Sequence, residues 1–213
     1  DPATPRPLRL VVPGAAASPL DQYARRLVDA LARGLGQPVL IDNRPGANGV
    51  PAVDAVVRAR PDGDTLLLAG LNVLSINPAL YPTRPRYDPR SDLAPVSLVA
   101  TGYPLLLVHP QLPAASVAEL VALGQRRAEP LRCGVPGLGS VQHLAARQFE
   151  RLSGLRMTHA SYASQPQVLT DLIGGHLDVA IEFPSAALPL VLAGRLRALA
   201  VLGPARKPAL PLV

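Results

Sequence analysis

The sequence is poor in the residue types that several functions require. Its 213 residues include one cysteine, four histidines and no tryptophan, and 3% of them are aromatic. A single cysteine, Cys133, excludes an internal disulfide bond and any metal site built from several cysteines. Since the histidines show neither HExxH nor another ligand spacing, we expect no metal ion and no other cofactor.

Long apolar runs and clustered charge are also missing. No run approaches the roughly 20 residues that a membrane span needs, and no charged and then apolar leader opens the chain, so we expect a mature, soluble form. The net charge is +6, and all but one of the 21 basic residues are arginine. Because they are scattered and aromatic rings for base stacking are few, we expect no nucleic-acid partner.

Strand-like and helix-like segments alternate along most of the chain. After a proline-rich leader (1–7), the segment Leu8 to Val12 fits a buried strand, and a helix is predicted from about Pro19 to Leu35 because its apolar residues recur at helical spacing. Parallel strands need long crossovers and are buried on both faces. The alternation therefore predicts an α/β fold with mainly parallel sheets covered by helices.

One irregular, proline-rich stretch, Leu71 to Pro95, interrupts the alternation. Two strand-like segments follow, Val96 to Ala100 and Tyr103 to Pro110, and then a second alternating series. We place a boundary near Thr101, which predicts a first domain over residues 1–100 and a second over 101–213. Since open α/β sheets bind ligands beyond the carboxyl ends of their strands, we expect a ligand in a cleft between the domains.

A glycine-rich loop in the second domain is the strongest candidate for a binding site. Here a strand runs through Gly137 and Gly139 into a helix, so that main-chain N–H groups and the positive end of the helix favour a carboxylate or phosphate. Ser140 either caps this helix or donates its hydroxyl to the anion. His143, one turn further on, is either structural or part of the mouth of the site.

No enzyme template fits this loop. The glycines are spaced G-x-x-G-x-G rather than G-x-G-x-x-G, the loop lacks the lysine of a P-loop, and Ser140 lacks the G-x-S-x-G context of a hydrolase. Cys133 lies at a strand end, where a buried, inert thiol is the usual interpretation. We therefore expect a binding protein with no catalytic residues.

The first domain carries a similar loop before its first helix. Ser18 is a good N-cap and Pro19 a good first helical residue, and Asp21 lies in the first turn, where the helix dipole favours it. Pro19 has no N–H, a capping Ser18 consumes another donor, and alanines 15–17 adopt positive φ less readily than glycine. We expect a ligand to be held mainly by the second domain.

Three further segments are candidates to line the site. Asn72 follows a strand end, where the alternative is ordinary loop hydrogen bonding. Ser164 and Gln165 come directly before another helix start. Phe183 ends a strand and forms either an apolar wall of the pocket or part of the core.

Together these segments resemble the Bug/TctC-type periplasmic solute-binding receptors of tripartite tricarboxylate transport systems. The resemblance follows the family's order over nearly the whole chain. The matching stretches are "LRLVVP", "LGQPVLIDNRPGANG", "ARPDGDTLLLAG", "INPALYPT", "YDPRSDLAPVSLVA", "SVAEL", "GLGSVQHLA", "LTDLIGGHLDVAIEFPSA" and "AGRLRALAV".

The resemblance implies a type II periplasmic-binding-protein fold that holds a small organic carboxylate in the interdomain cleft. By analogy, the first ligand loop contains Ala16, Ala17, Ser18 and Asp21. The second contains Gly137, Leu138, Gly139, Ser140, Val141 and His143, and the cleft is also lined by Asn72, Val73, Leu74, Ser164 and Gln165. Two departures are the missing glycines of the first loop and the end of the chain at Val213, where family members return to complete the first domain, so this domain is expected to be incomplete.

The leading hypothesis is a monomeric periplasmic receptor that binds an organic acid or acidic amino acid and delivers it to membrane transporter subunits. Domain closure is expected about strands near Ala100 and Leu196, with a hinge strand near 196–202. The second hypothesis is a diverged relative that binds weakly or acts as a sensor. An enzyme is the third, and it lacks a visible nucleophile and base.

Overall fold

The computed structural model describes residues 6–81, 87–206, 208–211 and 213. Most of the proline-rich leader and part of the irregular stretch, residues 1–5 and 82–86, lie outside the described residues. The chain divides into two compact units, Asp1–Ser97 and Leu98–Val213. This division falls close to the boundary predicted near Thr101, and the ligand-binding role of each unit stays a prediction.

Unit 1 contains a three-stranded, fully parallel sheet of order β2-β1-β3. Its strands are β1 (Leu8–Val12), β2 (Val39–Asn43) and β3 (Thr65–Leu67). Its helices are α1 (Pro19–Leu35), α2 (Val50–Val57), α3 (Asn77–Leu80) and α4 (Pro89–Asp92), with a 3₁₀ turn at Ala47–Gly49 and a π-helical turn at Asn72–Ile76.

The central strand of unit 1 is buried because helices cover the sheet on which it lies. Leu10 and Val12 of β1 belong to a core cluster with Ala24 of α1, and Val11, which points to the opposite face, has no exposed surface. Burial on both faces explains why this strand reads as a continuous apolar run. The helix predicted over Pro19 to Leu35 is confirmed with these bounds.

Unit 2 contains a five-stranded sheet of order β6-β5-β7-β4-β8. Its strands are β4 (Leu105–Val108), β5 (Leu131–Val135), β6 (Met157–Ser161), β7 (Val179–Glu182) and β8 (Arg197–Val201). Its helices are α5 (Val117–Arg126), α6 (Val141–Ser153), α7 (Gln165–Ile173) and α8 (Pro184–Leu192).

Side chains of β4 alternate between the two faces of this sheet. Leu106 and Val108 pack in a cluster that includes Leu120 of α5, whereas Leu105 and Leu107 pack in another that includes Leu172 of α7. Helices therefore cover both faces, as expected for an α/β fold.

One expectation is corrected at the boundary between the two units. The apolar segment Val96 to Ala100 is not a strand: Val96 and Leu98 are each 80% exposed, and no strand partner is described for it. A strand forms only where its main-chain groups pair with a neighbour, which composition alone does not reveal. In addition, β4 runs antiparallel to both β7 and β8, so the sheet is mixed. The hinge role predicted near β8 stays a prediction.

This topology gathers three helix starts at one edge of the sheet. Because β5 is parallel to both β6 and β7, the carboxyl ends of these strands meet at the same edge. The loops that lead into α6, α7 and α8 leave from there. Helix α5 follows the antiparallel β4, so it begins at the opposite edge. Within the part of the chain that the structure describes, no helix is long and apolar enough to cross a membrane.

A buried aspartate fixes the beginning of β7. The Asp178 carboxylate accepts hydrogen bonds from the main-chain N (2.8 Å), Nε (3.1 Å) and Nη2 (3.1 Å) of Arg132. Burial opposes ionisation, but the bonds from Arg132 outweigh it and hold the pKa of Asp178 below its ordinary value. The ionised carboxylate thereby ties two neighbouring strands together.

We expect Asp178→Asn to lower the free energy of unfolding by about 1.5–3 kcal/mol, since bonds to a charged acceptor are lost. Because the folded pKa is depressed, this contribution is complete above the ordinary pKa of 3.8 and disappears as the pH falls through the lower folded value. Urea unfolding at several pH values between pH 3 and pH 7 should show that the difference in unfolding free energy between the parent protein and Asp178→Asn decreases as the pH falls. Asp54→Asn, which breaks an exposed pair with Arg58, should cost less than about 1 kcal/mol. Equal losses in both variants would contradict this account.

Candidate functional site

The glycine-rich loop between β5 and α6 lies at the edge of unit 2 where three helices begin. Gly137 and Gly139 have φ angles of 94° and 80°, in the left-handed region that favours glycine. Ser140 is the N-cap of α6, and its Oγ accepts a hydrogen bond from the His143 amide at 3.1 Å. Of the two roles considered for Ser140, the structure therefore confirms the cap. Donation of the same hydroxyl's proton to an anion stays a prediction.

Most amides of this loop already have partners within the protein. The Gly137 amide donates to Val135 O at 2.9 Å, and the Ser140 amide donates to Gly137 O at 3.3 Å. The Gly139 amide donates to Nδ1 of His143 at 3.0 Å. By contrast, Val141 and Gln142 begin the helix, so their amides have no earlier helical carbonyl to bond. The amides suited to an anion are therefore those of Val141 and Gln142 rather than those of Gly137 and Gly139.

His143 acts as a hydrogen-bond acceptor for the loop. Accepting through Nδ1 requires the uncharged form at that atom. Burial, and then the neighbouring His159 and Arg147, lower the pKa of His143. Its ring meets that of His159 edge to face, with centroids 5.2 Å apart. Of the interpretations left open for this residue, a structural role in shaping the loop is the one its contacts support.

The start of α7 lies at the same edge. Ser164 occupies its N-cap position without a side-chain capping bond. Gln165 turns its side chain inward, where Nε2 donates to Oε2 of Glu182. Leu138, at the tip of the neighbouring loop, is 57% exposed. These predicted site residues are brought to one edge, whereas their contact with a ligand stays a prediction.

Glu182 was not recognised in the sequence. It is the last residue of β7 and has no exposed surface. Its Oε2 also accepts from Nε2 of Gln142 at 3.2 Å, and its Oε1 has no hydrogen-bond partner among the described residues. Burial raises the pKa of Glu182 to about 7. The available signal was an acid ending the apolar strand VAIE, at the edge where strands lead into helix starts.

Phe183 directly follows this glutamate and occupies the N-cap position of α8. Its side chain is half-buried and lies against Gly102, where an added Cβ would meet two ring carbons at 3.4 Å. Packing against the main chain is thus the contact that the structure gives Phe183. Its predicted role as an apolar wall of a pocket is not tested by this contact.

In unit 1, Asp21 organises the loop before α1 from inside. It has no exposed surface, and it accepts from the Ala17 amide (2.8 Å), from Arg25 Nε (2.8 Å) and from Asn43 Nδ2 (3.0 Å). The Arg25 bond is the main reason that the pKa of Asp21 is lowered, against the effect of burial. Asp21 is therefore an internal anchor with an ionised carboxylate.

The N-cap predicted for α1 is confirmed. Ser18 Oγ accepts from the Asp21 amide at 3.3 Å, and the helix begins at Pro19. Ala17 nevertheless has a φ of 65°, in the region that alanine was expected to avoid. Its bond to Asp21 offsets this strain. The amides of Ala17, Ser18 and Asp21 are all bonded internally, so this loop retains few donors, although Ala15, Ala16 and Ala17 are exposed.

The segment Asn72 to Leu74 lies in a π-helical turn of unit 1. Asn72 Nδ2 donates to Asn48 O at 2.8 Å, and the Val73 side chain is completely buried beside Val53. Leu74 is 43% exposed. Ordinary hydrogen bonding and core packing thus account for Asn72 and Val73, and the predicted ligand role of the segment stays a prediction.

A surface groove of about 770 Å³ also lies in unit 1, but it contains none of the predicted site residues. It is lined by arginines and aspartates, among them the ion pairs Arg9–Asp42 and Arg60–Asp62. Its charges are thus largely compensated. Within the described residues, no three histidine, cysteine, aspartate or glutamate side chains are placed to hold a metal ion.

Residues 23–213 match the family described as the tripartite tricarboxylate transporter family receptor. The chain is 36% identical to a UPF0065 protein of Bordetella bronchiseptica over 92% of its own length and 58% of that protein. It is 34% identical to BugT of Bordetella pertussis over 98% of its own length and 64% of BugT. It therefore spans less than two thirds of the length of these curated relatives.

Solved structures agree with the family match. Rpa4515 of R. palustris, solved with adipate, has a TM-score of 0.90 and 33% identity over 98% of this chain and 70% of that one. A structure described as a periplasmic transporter has a TM-score of 0.87 and 30% identity over 97% and 68%. MatC of Rhodopseudomonas palustris, with bound malate, has a TM-score of 0.81 and 29% identity over 97% and 70%. The expected α/β fold of type II periplasmic binding proteins is confirmed.

The left-handed Ala17 provides a test of the loop before α1. We expect Ala17→Gly to raise the free energy of unfolding by about 0.5–1 kcal/mol, because glycine adopts this conformation without steric cost. Urea unfolding would measure the gain. Ala16→Gly is a matched control, since Ala16 is not among the described residues with positive φ. This variant should not raise the free energy of unfolding. A loss of stability in Ala17→Gly would contradict the strain assigned to this position.

Proposed function

The chain belongs to the tripartite tricarboxylate transporter receptor family, and on this premise we propose that it binds a small organic carboxylate as a periplasmic solute receptor. The family match over residues 23–213 supports the proposal. So does the binding of adipate and of malate by the similar proteins Rpa4515 and MatC. The observation that carries the proposal for this chain is the glycine loop at the start of α6.

This loop has the chemistry that recognises a carboxylate. The first amides of α6 point out of the helix start, where the helix dipole favours negative charge. Ser140 lies beside them, and its hydroxyl retains a proton to donate while its oxygen accepts the cap bond from His143. Both adipate and malate carry two carboxylates. An organic acid or acidic amino acid is therefore the proposed ligand class.

Binding in this receptor requires no chemical change of the ligand. Cys133 is buried, as expected, and burial raises the pKa of its thiol to about 12. Such a thiol stays protonated at neutral pH and is a poor nucleophile. Uptake by transporter subunits in the membrane would follow ligand release by the receptor.

Unit 2 is proposed as the main holder of the carboxylate. The loop before α1 bonds the amides of Ala17 and Asp21 internally and contains the ionised Asp21. Because the first loop offers few donors to an anion, the second hypothesis is a weakly binding or sensory relative. Low affinity for every acid in a calorimetric series would favour that relative over an uptake receptor. Mass spectrometry of the natively purified protein would identify a retained acid.

Ser140→Ala tests the proposed site directly. It should weaken the binding of adipate or malate by roughly 10- to 150-fold, because a hydrogen bond to a charged group is worth about 1.5–3 kcal/mol. Isothermal titration calorimetry, well below the melting temperature, measures this effect.

Ser116→Ala is the matched control. Ser116 caps α5 in the same way, through a bond from the Glu119 amide at 3.2 Å, but at the opposite edge of the sheet. Its loss should cost similar stability and leave affinity unchanged. Unchanged affinity in Ser140→Ala would overturn the assignment of Ser140, and a parent protein that binds no carboxylate would overturn the proposed function.

A further inference from the structure

Glu182 lies where the starts of three helices meet. Its Oε2 accepts from Gln142, the second residue of α6, and from Gln165, the first residue of α7. Phe183, the next residue, is the N-cap of α8, and its amide also favours the ionised form. The side chains of Gln142 and Gln165 therefore connect a completely buried carboxyl group to the helix starts at which the carboxylate ligand is proposed to bind.

No cation among the described residues compensates this carboxyl group. On α6, the His143 ring accepts a hydrogen bond from the Gly139 amide, and Arg147 donates to Glu150. On β6, the His159 ring is also hydrogen-bonded to Glu150. On α7, Asp171 accepts from Tyr162. The basic side chains of β5 and β8 are directed to other acceptors: Arg132 bonds Asp178 and Gly175 O, and Arg197 bonds Leu112 O and Ala114 O.

The remaining neighbours of Glu182 carry no charge. Strand β4, which pairs with β7 through Leu105, and helix α8 contain no titratable side chain. On β5, the buried Cys133 thiol stays protonated because its pKa is raised to about 12. Among the described residues, Glu182 is thus stabilised by neutral amides alone.

The two carboxyl oxygens differ in a way that locates a proton. Oε2 is occupied by the two glutamine donors, which a protonated carboxyl can keep, whereas Oε1 has no partner among the described residues. An unpartnered buried oxygen is costly when it is charged. Oε1 is accordingly the atom on which a proton is best placed.

An ionised Glu182 and an anionic ligand compete for the same positive potential. The N-termini of α6 and α7 favour negative charge, and ionised Glu182 places a negative charge beside them in the protein interior. A ligand carboxylate at these helix starts would meet a second negative charge across a poorly screened interior. Protonation of Glu182 removes this repulsion without altering the bonds to Gln142 and Gln165.

We propose that unit 2 binds its carboxylate ligand together with one proton from solvent, which Glu182 holds on Oε1. The proposal rests on the carboxylate-binding function proposed above. The O–H bond forms on Oε1, and no bond of the ligand is made or broken. Burial already raises the pKa of Glu182 to about 7 in the free protein. A bound anion raises it further, so the linkage operates at neutral and mildly basic pH.

Calorimetry with adipate or malate measures the linkage. Titrations from pH 6.5 to pH 8.5, in two buffers with different ionisation enthalpies, give the number of protons taken up per ligand. Both ligands are almost completely ionised in this range, since carboxyl groups ordinarily titrate near pH 4. We expect uptake approaching one proton at pH 8, and about a tenfold fall in affinity for each pH unit above the pKa.

Glu182→Gln keeps a neutral side chain of the same shape at this position. It should abolish proton uptake and make affinity independent of pH over this range, with tight binding retained at pH 8.5. Glu150→Gln is the matched control, because it removes one negative charge from α6 of the same unit. Glu150 accepts from the Met157 amide at 2.8 Å, and its pKa is lowered despite burial. This control should retain proton uptake.

His143→Asn separates the histidine from the glutamate. The pKa of His143 lies below the ordinary value of 6.5, so its own titration occurs under acidic conditions. Because His143 shapes the loop, the variant is expected to bind more weakly, but the proton uptake counted per bound ligand at pH 8 should persist in His143→Asn. Loss of uptake in that variant, together with its retention in Glu182→Gln, would overturn the assignment to Glu182.

A ligand-free measurement completes the test, and it does not depend on the folding of any variant. Carbon-13 NMR of the glutamate carboxyl groups should contain one resonance that titrates near pH 7. A protein in which every glutamate is ionised by pH 5.5 would overturn the inference. Ligand binding without proton uptake would also overturn it while leaving the proposed receptor function intact. Absence of binding to any carboxylate would overturn the receptor function, and the inference with it.

Discussion

Main-chain amides at the start of a helix have no carbonyl within that helix, and the way this chain satisfies them governs both of its candidate loops. Before α1, Ser18 and Asp21 consume the amides of Asp21 and Ala17. Before α6, Ser140 and His143 accept from the amides of His143 and Gly139, but the first helical amides have no acceptor among the described residues. The loops look alike in sequence and differ in the donors they retain.

The charge supplied to each helix start differs as well. Unit 1 uses a carboxylate that stays ionised, because Arg25 and Asn43 bond it. Unit 2 uses the neutral His143 ring at the loop and a carboxyl group, Glu182, whose pKa is raised to about 7 and which neutral amides alone stabilise. An internal carboxylate that is always charged repels an anion at the same helix start. A carboxyl group that takes up a proton loses its charge and no longer repels the anion.

Burying Glu182 without a cation costs stability, since a buried charge is expensive unless it is paired. Gln142 and Gln165 offset part of this cost at Oε2, and the proton proposed for Oε1 would remove the charge itself. Replacing the acid by an apolar residue would be a simpler way to fill a core. The proton linkage proposed above would give the acid at these helix starts a role in ligand binding.

The sequence by itself determined the features that depend on neighbouring residues. Ser18 and Pro19 specify where α1 begins, Gly137 and Gly139 specify a left-handed loop, and the apolar runs of β1 and β4 specify buried strands. The resemblance carried by these segments identified the family. Such features follow from interactions within about one helical turn or from the local alternation of side chains.

Only the tertiary structure decided which distant groups meet. Val96 to Ala100 has a strand-like composition but no pairing partner among the described residues, and the antiparallel direction of β4 is set by the strands on either side of it. Gln142 and Glu182 are 40 residues apart in the chain, and Gln165 and Glu182 are 17 apart. Burial and hydrogen bonding between such residues arise from the packing of the sheet and helices, and they fix the charge of a carboxyl group that the sequence presents as one acid at the end of an apolar strand.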